Sequence, residues 1–297
     1  MTTLDQSLRA GIETLTSAAV GSPRLTAEVL LMFALNCDRA HLFAHPERVL
    51  TADETLKFEA TLAQRTCGVP TQYITGHQEF WGLDLIVSPA VLIPRPETEH
   101  LVEAVLHLAR AFRSQCCLAP GLAPPGVPSP RIADVGTGSG CIALALAKEL
   151  PHAEIHALDS FPAALDIARA NAERHGLQAR VRFQESDLLE AFFHDTARFD
   201  FVVSNPPYVS EADKDCLQSE VRDFEPHTAL FAGPTGLGVI ERLIPQAQRA
   251  LKCGGWLVME IGQGQKEPVE KLLCGWKELR FVPDLQRIPR VVGAQKG

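Results

Sequence analysis

The pattern of apolar and polar positions differs between the two ends of the chain. Up to about residue 75, apolar residues recur at helical spacing, most clearly in residues 26–35, which begin shortly after Pro23. Residues 51–54 read Thr-Ala-Asp-Glu, the spacing of a helix capping box, and a periodic apolar pattern follows them. Strand-like alternation does not occur here. We therefore predict a small helical bundle over residues 1–75.

From about residue 130 onward, strand-like apolar runs alternate with helical ones. The predicted strands cover residues 131–135, 153–159, 179–184, 199–204 and 255–261, with weaker ones at 279–282 and 290–293. Helices are predicted between them at 141–150, 163–175 and 238–251. This alternation is typical of an α/β fold, in which a mainly parallel sheet carries helices on both faces.

A connector separates the two regions. Residues 76–113 are predicted to form a hairpin and then a helix after Pro96. Residues 116–130 contain five prolines and two glycines, which predicts a solvated surface loop because proline continues neither a helix nor a central strand. The expected domains are therefore 1–75, the connector 76–113, and 114–297.

Composition and charge narrow the function classes. The chain has 297 residues, of which 46% are hydrophobic, and this excludes disorder along its whole length. Its 28 basic against 36 acidic residues give a formal net charge of −8, without any basic run. Proteins that hold nucleic acid by its phosphates usually present a basic face, so nucleic acid is disfavoured as the main ligand, although a small local patch stays possible.

Targeting and metal-binding signals are weak in the sequence. The longest apolar runs, 29–35 and 141–147, are far shorter than the roughly 20 residues of a membrane span, and the N-terminus does not resemble a signal peptide. We expect a cytoplasmic protein without membrane association. The eight cysteines form no C-x-x-C pair, so we expect reduced thiols and no metal site.

A glycine-rich string follows the first predicted strand of the α/β region. Its core is Gly136-Thr137-Gly138-Ser139-Gly140, preceded by Asp134. Glycines at a strand-to-helix junction let the backbone approach a ligand closely. A nicotinamide-type G-x-G-x-x-G string would need glycine at position 141, where Cys141 stands. The spacing favours an adenosylmethionine loop, and an ordinary tight turn is the alternative.

Two further acidic residues come at predicted strand ends. Asp159 ends the second strand, where a carboxylate can accept hydrogen bonds from both ribose hydroxyls of an adenosine-bearing cofactor. The alternative is that Asp159 caps the following helix. Asp187, after the third strand, is placed to reach the adenine amino group.

The most specific motif is Asn205-Pro206-Pro207-Tyr208, directly after the fourth predicted strand. Ligands of open α/β sheets bind outside the carboxyl ends of the strands, so this tetrapeptide is expected beside the cofactor. The prolines have no N–H, Asn205 adds a side-chain oxygen, and Tyr208 adds a flat wall. Together they predict a cradle for a planar NH2 group, and an Asn-Pro turn with a packed tyrosine is the alternative.

Taken together, these motifs resemble the protein-(glutamine-N5) methyltransferases that modify peptide chain release factors, the PrmC/HemK family. The resemblance covers nearly the whole chain: the helical N-terminal region, residues 80–83 (Phe-Trp-Gly-Leu), 92–99 (Leu-Ile-Pro-Arg-Pro-Glu-Thr-Glu), the glycine string, the Asn-Pro-Pro-Tyr motif and residues 220–226 (Glu-Val-Arg-Asp-Phe-Glu-Pro). It implies a Rossmann-like class I methyltransferase sheet whose last strand is antiparallel, together with an N-terminal helical bundle.

The resemblance also implies the chemistry. S-adenosyl-L-methionine would be the cofactor, and the acceptor would be the side-chain amide of the glutamine in a release factor's Gly-Gly-Gln loop. Cofactor contacts are implied for Gly136 to Gly140, Asp159, Asp187, Leu188 and Asn205, and substrate contacts for Asn205, Pro206, Pro207 and Tyr208. Residues Pro94, Arg95, Glu97 and Thr98 would close over the cofactor. The helical bundle has no catalytic cluster of its own, and we expect it to dock the protein substrate.

Some features depart from the family pattern. Leu188 stands where many members have an aromatic residue against adenine, and residues 286–290 lack the usual glycine before Ile-Pro-Arg. Competing interpretations are an adenine or cytosine amino-methyltransferase, because the motif accepts any planar NH2, and a cofactor-binding module without chemistry. The acidic charge speaks against the first, and the intact Asn205 and Tyr208 speak against the second.

Overall fold

The computed structural model describes residues 2–116 and 129–297. The predicted proline-rich loop therefore lies mostly outside the described residues. The chain divides into two compact units: a helical unit of residues 1–77 with 217–224, and a sheet unit of residues 78–216 with 225–297.

The helical unit contains the predicted bundle. Its helices are α1 (Leu4–Ser17), α2 (Pro23–Leu35), α3 (Arg39–Ala44), α4 (Ala52–Thr66) and α5 (Thr71–Thr75). The predicted capping box starts α4, because the Thr51 hydroxyl accepts from the Glu54 N–H at 3.2 Å while the Glu54 carboxylate accepts from the Thr51 N–H at 2.9 Å. The buried apolar side chains of these helices form one core.

A short helix from late in the chain joins this bundle. Helix α9 (Ser219–Phe224) belongs to the helical unit, and the Glu220 carboxylate pairs with the buried guanidinium of Arg65 at 2.5 Å. Residues 217–224 are not part of the predicted bundle, because only tertiary contacts connect them to it.

The sheet unit begins with the predicted connector. Strands β1 (His77–Phe80) and β2 (Leu83–Ile86) form the hairpin, a 3₁₀ turn covers Pro96–Thr98, and helix α6 (Glu99–Cys116) follows. The strands of the main sheet are β3 (Arg131–Val135), β4 (Glu154–Asp159), β5 (Val181–Glu185), β6 (Phe199–Ser204), β7 (Leu251–Glu260), β8 (Lys277–Pro283) and β9 (Pro289–Gln295). The remaining helices are α7 (Cys141–Glu149), α8 (Pro162–Arg174), α10 (His227–Leu230), α11 (Gly238–Ala250) and α12 (Lys266–Leu272).

The seven strands have the order β5-β4-β3-β6-β7-β9-β8. Strands β3 to β7 pair in parallel, whereas β9 runs antiparallel to both of its neighbours, β7 and β8. The predicted α/β class with an antiparallel last strand is confirmed. Alternate residues of each inner strand enter two apolar cores, one on each face of the sheet; Val203 packs with α6 and α7, and its neighbour Val202 packs with α11.

The order of the strands in the sheet determines where the candidate site lies. The chain moves from β3 outward to β4 and β5 and then returns to the other side of β3 with β6. Loops that leave β3 and β6 therefore diverge, and a crevice opens between them at the carboxyl ends of the strands.

Several strand boundaries differ from the predicted ones, and the structure shows a physical reason for two of them. Strand β7 starts at Leu251 rather than at 255, because it absorbs a bulge: Phe199 pairs with Leu251, whereas Phe201 pairs with Trp256. The start of β9 is fixed by Asp284, whose carboxylate accepts from the N–H groups of Gln286 and Ile288. That carboxylate closes the turn where the sequence lacks the expected glycine.

Candidate active site

Loops after β3, β4, β5 and β6 line one cavity of about 250 Å³ at the carboxyl edge of the sheet. The predicted site residues that line it are Gly136, Thr137, Gly138, Ser139, Asp159, Asp187, Leu188, Asn205 and Pro207. Gly140, Pro206 and Tyr208 lie directly next to lining residues in the chain. The structure thus brings the glycine string, the acidic residues and the Asn-Pro-Pro-Tyr motif together.

The glycine string has the geometry of a ligand loop. The N–H groups of Gly136 and Thr137 donate to the Leu158 carbonyl at 2.8 and 2.9 Å, which fixes this loop to the end of β4. Gly136 and Gly138 have φ values of 72° and 54°, a left-handed backbone that favours glycine. A Cβ atom at either position would meet open space, so their backbones border the cavity directly.

Asp159 connects two of the cavity loops. Its carboxylate accepts from the Gly138 N–H at 2.9 Å and from the Phe161 N–H at 3.0 Å. The N-cap residue of α8 is Phe161, so Asp159 is not itself the N-cap of that helix, although it accepts from the N–H of the N-cap residue. Burial raises the pKa of Asp159, and the backbone hydrogen bonds oppose that shift. A carboxylate here can also accept from ligand hydroxyls.

Asp134 is fully buried beneath the glycine string. One carboxylate oxygen, Oδ2, accepts from the Thr137 hydroxyl at 2.6 Å and from the Ala143 N–H at 3.1 Å. The other oxygen has no hydrogen-bond partner among the residues that the structure describes. Burial raises the pKa of Asp134 to about 7, because the charged form loses its hydration.

The third loop carries Asp187 and Leu188. The Asp187 carboxylate pairs with the guanidinium of Arg242 at 2.5 Å, and both residues line the cavity. Leu188 has a left-handed φ of 52° and presents an apolar side chain to the cavity. Phe161, which is 47% exposed, also lines it. Neither Phe161 nor Arg242 is a predicted site residue, although Phe161 stands only two positions after Asp159.

The Asn-Pro-Pro-Tyr motif is held from three directions. The Asn205 Nδ2 donates to the Thr98 hydroxyl oxygen at 3.1 Å, and the Tyr208 hydroxyl donates to Glu260 at 3.1 Å. The Gln265 amide donates to the Tyr208 carbonyl at 2.9 Å. A Cβ atom at Gly236 would lie 2.4 Å from that carbonyl, so glycine is required for this close approach.

Glu260 ends β7 and is 2% exposed. It accepts from the Thr98 hydroxyl at 2.7 Å as well as from Tyr208. Burial raises the pKa of Glu260, whereas these two hydrogen bonds and the positive charge of Arg290 favour the ionised form. Glu260 is not a predicted site residue, because its only signal in the sequence is an acidic residue at the end of an otherwise apolar strand.

The connector contributes to the same cavity. Arg95 lines it and pairs at 2.5 Å with the buried carboxylate of Glu225, which also accepts from the Ile93 N–H. Thr98 lines the cavity too. Glu97, in contrast, is exposed and is not one of the described residues that form the cavity wall.

Neither a metal cluster nor a membrane span is found in the described parts of the chain. Within 2–116 and 129–297, no three His, Cys, Asp or Glu side chains are grouped as metal ligands. No helix among these residues is both long and apolar enough to cross a bilayer. The polar groups around the cavity include backbone N–H donors, carboxylate acceptors and the carboxamide of Asn205, a set that suits a nucleoside cofactor.

Comparisons with known proteins agree with this geometry. The PrmC N-terminal domain family matches residues 6–76, and the methyltransferase small domain family matches residues 117–222. A release factor glutamine methyltransferase of Koribacter versatilis is 52% identical over 99% of both chains. One from Xylella fastidiosa is 43% identical over 94% of this chain and 96% of its own.

A solved structure shares the fold. The hMettl16 catalytic domain in complex with MAT2A 3′UTR hairpin 6 superposes with a TM-score of 0.54 at 18% identity, covering 79% of this chain and 81% of that one. The fold and the cavity define an adenosylmethionine-dependent methyltransferase. More narrowly, the chain belongs to the release factor glutamine methyltransferase family.

Asp134 makes stability depend on pH. The pKa of Asp134 is raised in the folded protein. Its contribution to the free energy of unfolding is therefore fully present below the unfolded pKa of 3.8 and is lost as pH rises to about 7. Asp134→Asn keeps an acceptor for Thr137 and Ala143 but does not ionise. We expect the difference in unfolding free energy, variant minus wild type, to increase by up to about 1.4 kcal/mol per pH unit in that range. Above pH 7 this difference should stay constant.

Urea unfolding of the cofactor-free protein at pH 5, 6, 7 and 8 measures this difference. Asp284→Asn is the matched control, because hydrogen bonds lower the pKa of Asp284 and that carboxylate stays ionised across the whole range. Its difference from wild type should be constant. A constant difference for Asp134→Asn as well would contradict the buried-carboxyl account.

Proposed function

We propose that this protein transfers a methyl group from S-adenosyl-L-methionine to the side-chain amide nitrogen of the glutamine in the Gly-Gly-Gln loop of peptide chain release factors. One observation supports it most strongly: the Asn205 amide, whose NH2 end is bonded to Thr98, borders the same cavity as the glycine string and Asp159. Its oxygen is thereby available to a substrate NH2. The names of the relatives support the choice of substrate.

The cofactor is proposed to lie along the glycine string. In this arrangement Asp159 accepts from the ribose hydroxyls, and Asp187 and Leu188 border the adenine. The open space beyond Gly136 and Gly138 suits a ligand that approaches the backbone. When bound, the cofactor supplies an electrophilic methyl group on a sulfonium.

The protein's task follows from the weakness of an amide nucleophile, whose lone pair is delocalised into its carbonyl. We propose that Asn205 Oδ1 and the Pro206 carbonyl accept the two N–H bonds of the glutamine amide, and that Tyr208 covers one of its faces. These contacts aim the nitrogen and stabilise positive charge as it develops there. After transfer the nitrogen is acidic and can lose its proton to water, so no dedicated base is required.

Replacing Asn205 tests the cradle. Asn205→Ala should lower kcat on a release factor by about 10²–10³-fold, because one preorganised acceptor at the transition state is lost. Mass spectrometry should find a gain of about 14 Da (one methyl group) on the loop glutamine with the wild-type protein. Unlabelled DNA in place of release factor, incubated with methyl-labelled S-adenosyl-L-methionine, is the control acceptor. Wild-type turnover by the variant, or label on DNA instead, would contradict the proposal.

The same proposal covers partners and compartment. The release factor is the protein partner, and nucleic acid is not the direct substrate, which the net charge of −8 supports. A protein acting on release factors works where translation takes place, so we propose a cytoplasmic location.

The helical unit is proposed to dock the release factor. A single glutamine offers little surface for specificity, so a second contact region is needed. This unit exposes the large apolar side chains Leu25, Phe43, Val49 and Leu56, at 47–64% of their surface. Exposed apolar side chains of this size suit contacts with a protein partner.

Substitutions of surface residues test docking by the helical unit better than a deletion of residues 1–75. The deletion would also remove Arg65, which contacts α9. Phe43→Ser and Leu56→Ser should each raise KM for the release factor by about 5–10-fold, as expected for interface anchors, and leave cofactor affinity unchanged. The control is Leu285→Ser, which removes a 95%-exposed leucine from the sheet unit. An equal rise in KM for the control, or none for Phe43→Ser and Leu56→Ser, would contradict docking by the helical unit.

A further inference from the structure

A continuous chain of hydrogen bonds joins the two ends of the Asn-Pro-Pro-Tyr motif through residues outside it. Asn205 donates to Thr98 at 3.1 Å, Thr98 donates to Glu260 at 2.7 Å, and Tyr208 donates to the other oxygen of Glu260 at 3.1 Å. Thr98 lies in the turn before α6, and Glu260 lies at the end of β7. Both are almost fully buried, at 1% and 2% exposure.

The direction of each bond in this chain is set by Glu260. The ionised form of Glu260, which both hydrogen bonds and the charge of Arg290 favour, can only accept, so the Thr98 and Tyr208 hydroxyls both donate to it. The Thr98 hydroxyl has a single proton, which this bond uses. Its oxygen is then left as an acceptor toward Asn205, and only the NH2 end of the Asn205 amide can donate to it.

We propose that Glu260 and Thr98 are positioning residues that set which end of the Asn205 side-chain amide faces the substrate. This inference rests on the proposed role of Asn205 as an acceptor for the glutamine amide. Neither residue needs to touch the glutamine. Glu260 acts through Thr98 on Asn205 and through the hydroxyl on Tyr208.

The orientation has a chemical consequence because the two ends of a carboxamide are similar in shape and opposite in hydrogen bonding. With its oxygen outward, Asn205 accepts an N–H of the glutamine amide and stabilises positive charge on that nitrogen. With its NH2 outward, two donors would face each other in a partly desolvated site. A reversed amide therefore affects the chemical step more than the docking of a large protein substrate.

Substitutions at Thr98 separate the hydroxyl from the side-chain volume. Thr98→Val keeps the shape but removes both the donor and the acceptor, and kcat should fall by about 10²-fold, comparable to the loss of one transition-state contact. Thr98→Ser keeps the hydroxyl and should restore kcat to within about threefold of wild type. The KM for the release factor should change by less than about threefold in both variants, because the docking surface is untouched.

Glu260→Gln tests the origin of the polarity. Glutamine has one acceptor oxygen for two hydroxyl donors, so either Thr98 or Tyr208 must reverse its bond or lose it. We expect kcat to fall by about 10–100-fold, within the range for one disturbed transition-state contact. Glu260 is not among the described cavity-lining residues, so cofactor affinity should stay within about twofold of wild type.

Asp200→Asn is the matched control for Glu260→Gln. Asp200 is also a buried carboxylate in the sheet, 5% exposed, but it lies near the start of β6, at the opposite end from Asn205, and pairs with Lys252 at 2.8 Å. This variant also removes a buried charge, and its kcat should stay within about twofold of wild type. Thermal unfolding of every variant identifies any that fail to fold.

The outcomes separate this inference from the proposed function. Wild-type kcat in both Thr98→Val and Glu260→Gln, with Asn205→Ala inactive, would overturn the positioning role and leave the proposed function intact. A loss in Thr98→Ser as large as in Thr98→Val, or a cofactor affinity that falls as far as kcat, would also overturn it, because a merely structural role predicts those results. Wild-type kcat in Asn205→Ala would instead overturn the cradle itself.

Discussion

A side-chain amide can present an acceptor or a donor with almost no change in shape, so its own hydrogen-bond partners decide which end a ligand meets. In this protein the contact between Asn205 and Thr98 determines which end of the Asn205 amide faces the cavity. The hydroxyl of Thr98 is committed to the buried carboxylate of Glu260, and its oxygen is therefore an acceptor. The proposed activity depends on this polarity, because the substrate nitrogen carries two N–H bonds and needs acceptors around it.

The fold places these groups together by its strand order. Strands β3, β4 and β6 end at one edge of the sheet, and the reversal between β3 and β6 opens the crevice there. The glycine string and Asp159 lie on one side of the crevice, and Asn205 lies on the other. Buried carboxyl groups with raised pKa values, at Asp134, Asp159 and Glu260, cluster at this edge. Such clustering is common at functional sites, where the rest of the fold compensates for the cost of burying charge.

Much of this arrangement could be predicted from the sequence because it depends on local pattern. Strands 131–135 and 199–204 have the predicted ends, since each is a short apolar run followed by a polar or glycine-rich loop. The capping box at Thr51 could also be predicted, because it depends only on the local pattern of residues 51–54. The expected site residues lie near each other because parallel strands end at a common edge, and that follows from fold class alone.

What could not be predicted depends on contacts between distant parts of the chain. Thr98 and Glu260 are 162 positions apart, and no local pattern pairs them. The bulge that lengthens β7 depends on its pairing with β6, where Phe199 pairs with Leu251 and Phe201 pairs with Trp256. Residues 217–224 join the helical unit through contacts such as that of Glu220 with Arg65. Each of these features becomes visible only when the partner strand or helix is in place.

Neutron diffraction from the deuterated wild-type protein, crystallised with S-adenosylhomocysteine and a Gly-Gly-Gln peptide, tests the central claim most directly because it distinguishes the two ends of Asn205. Our account predicts deuterium on the Asn205 nitrogen toward Thr98, and the Asn205 oxygen within about 2.7–3.2 Å of the glutamine amide nitrogen. An Asn205 NH2 directed at the peptide, or a glutamine bound away from Asn205, would contradict it.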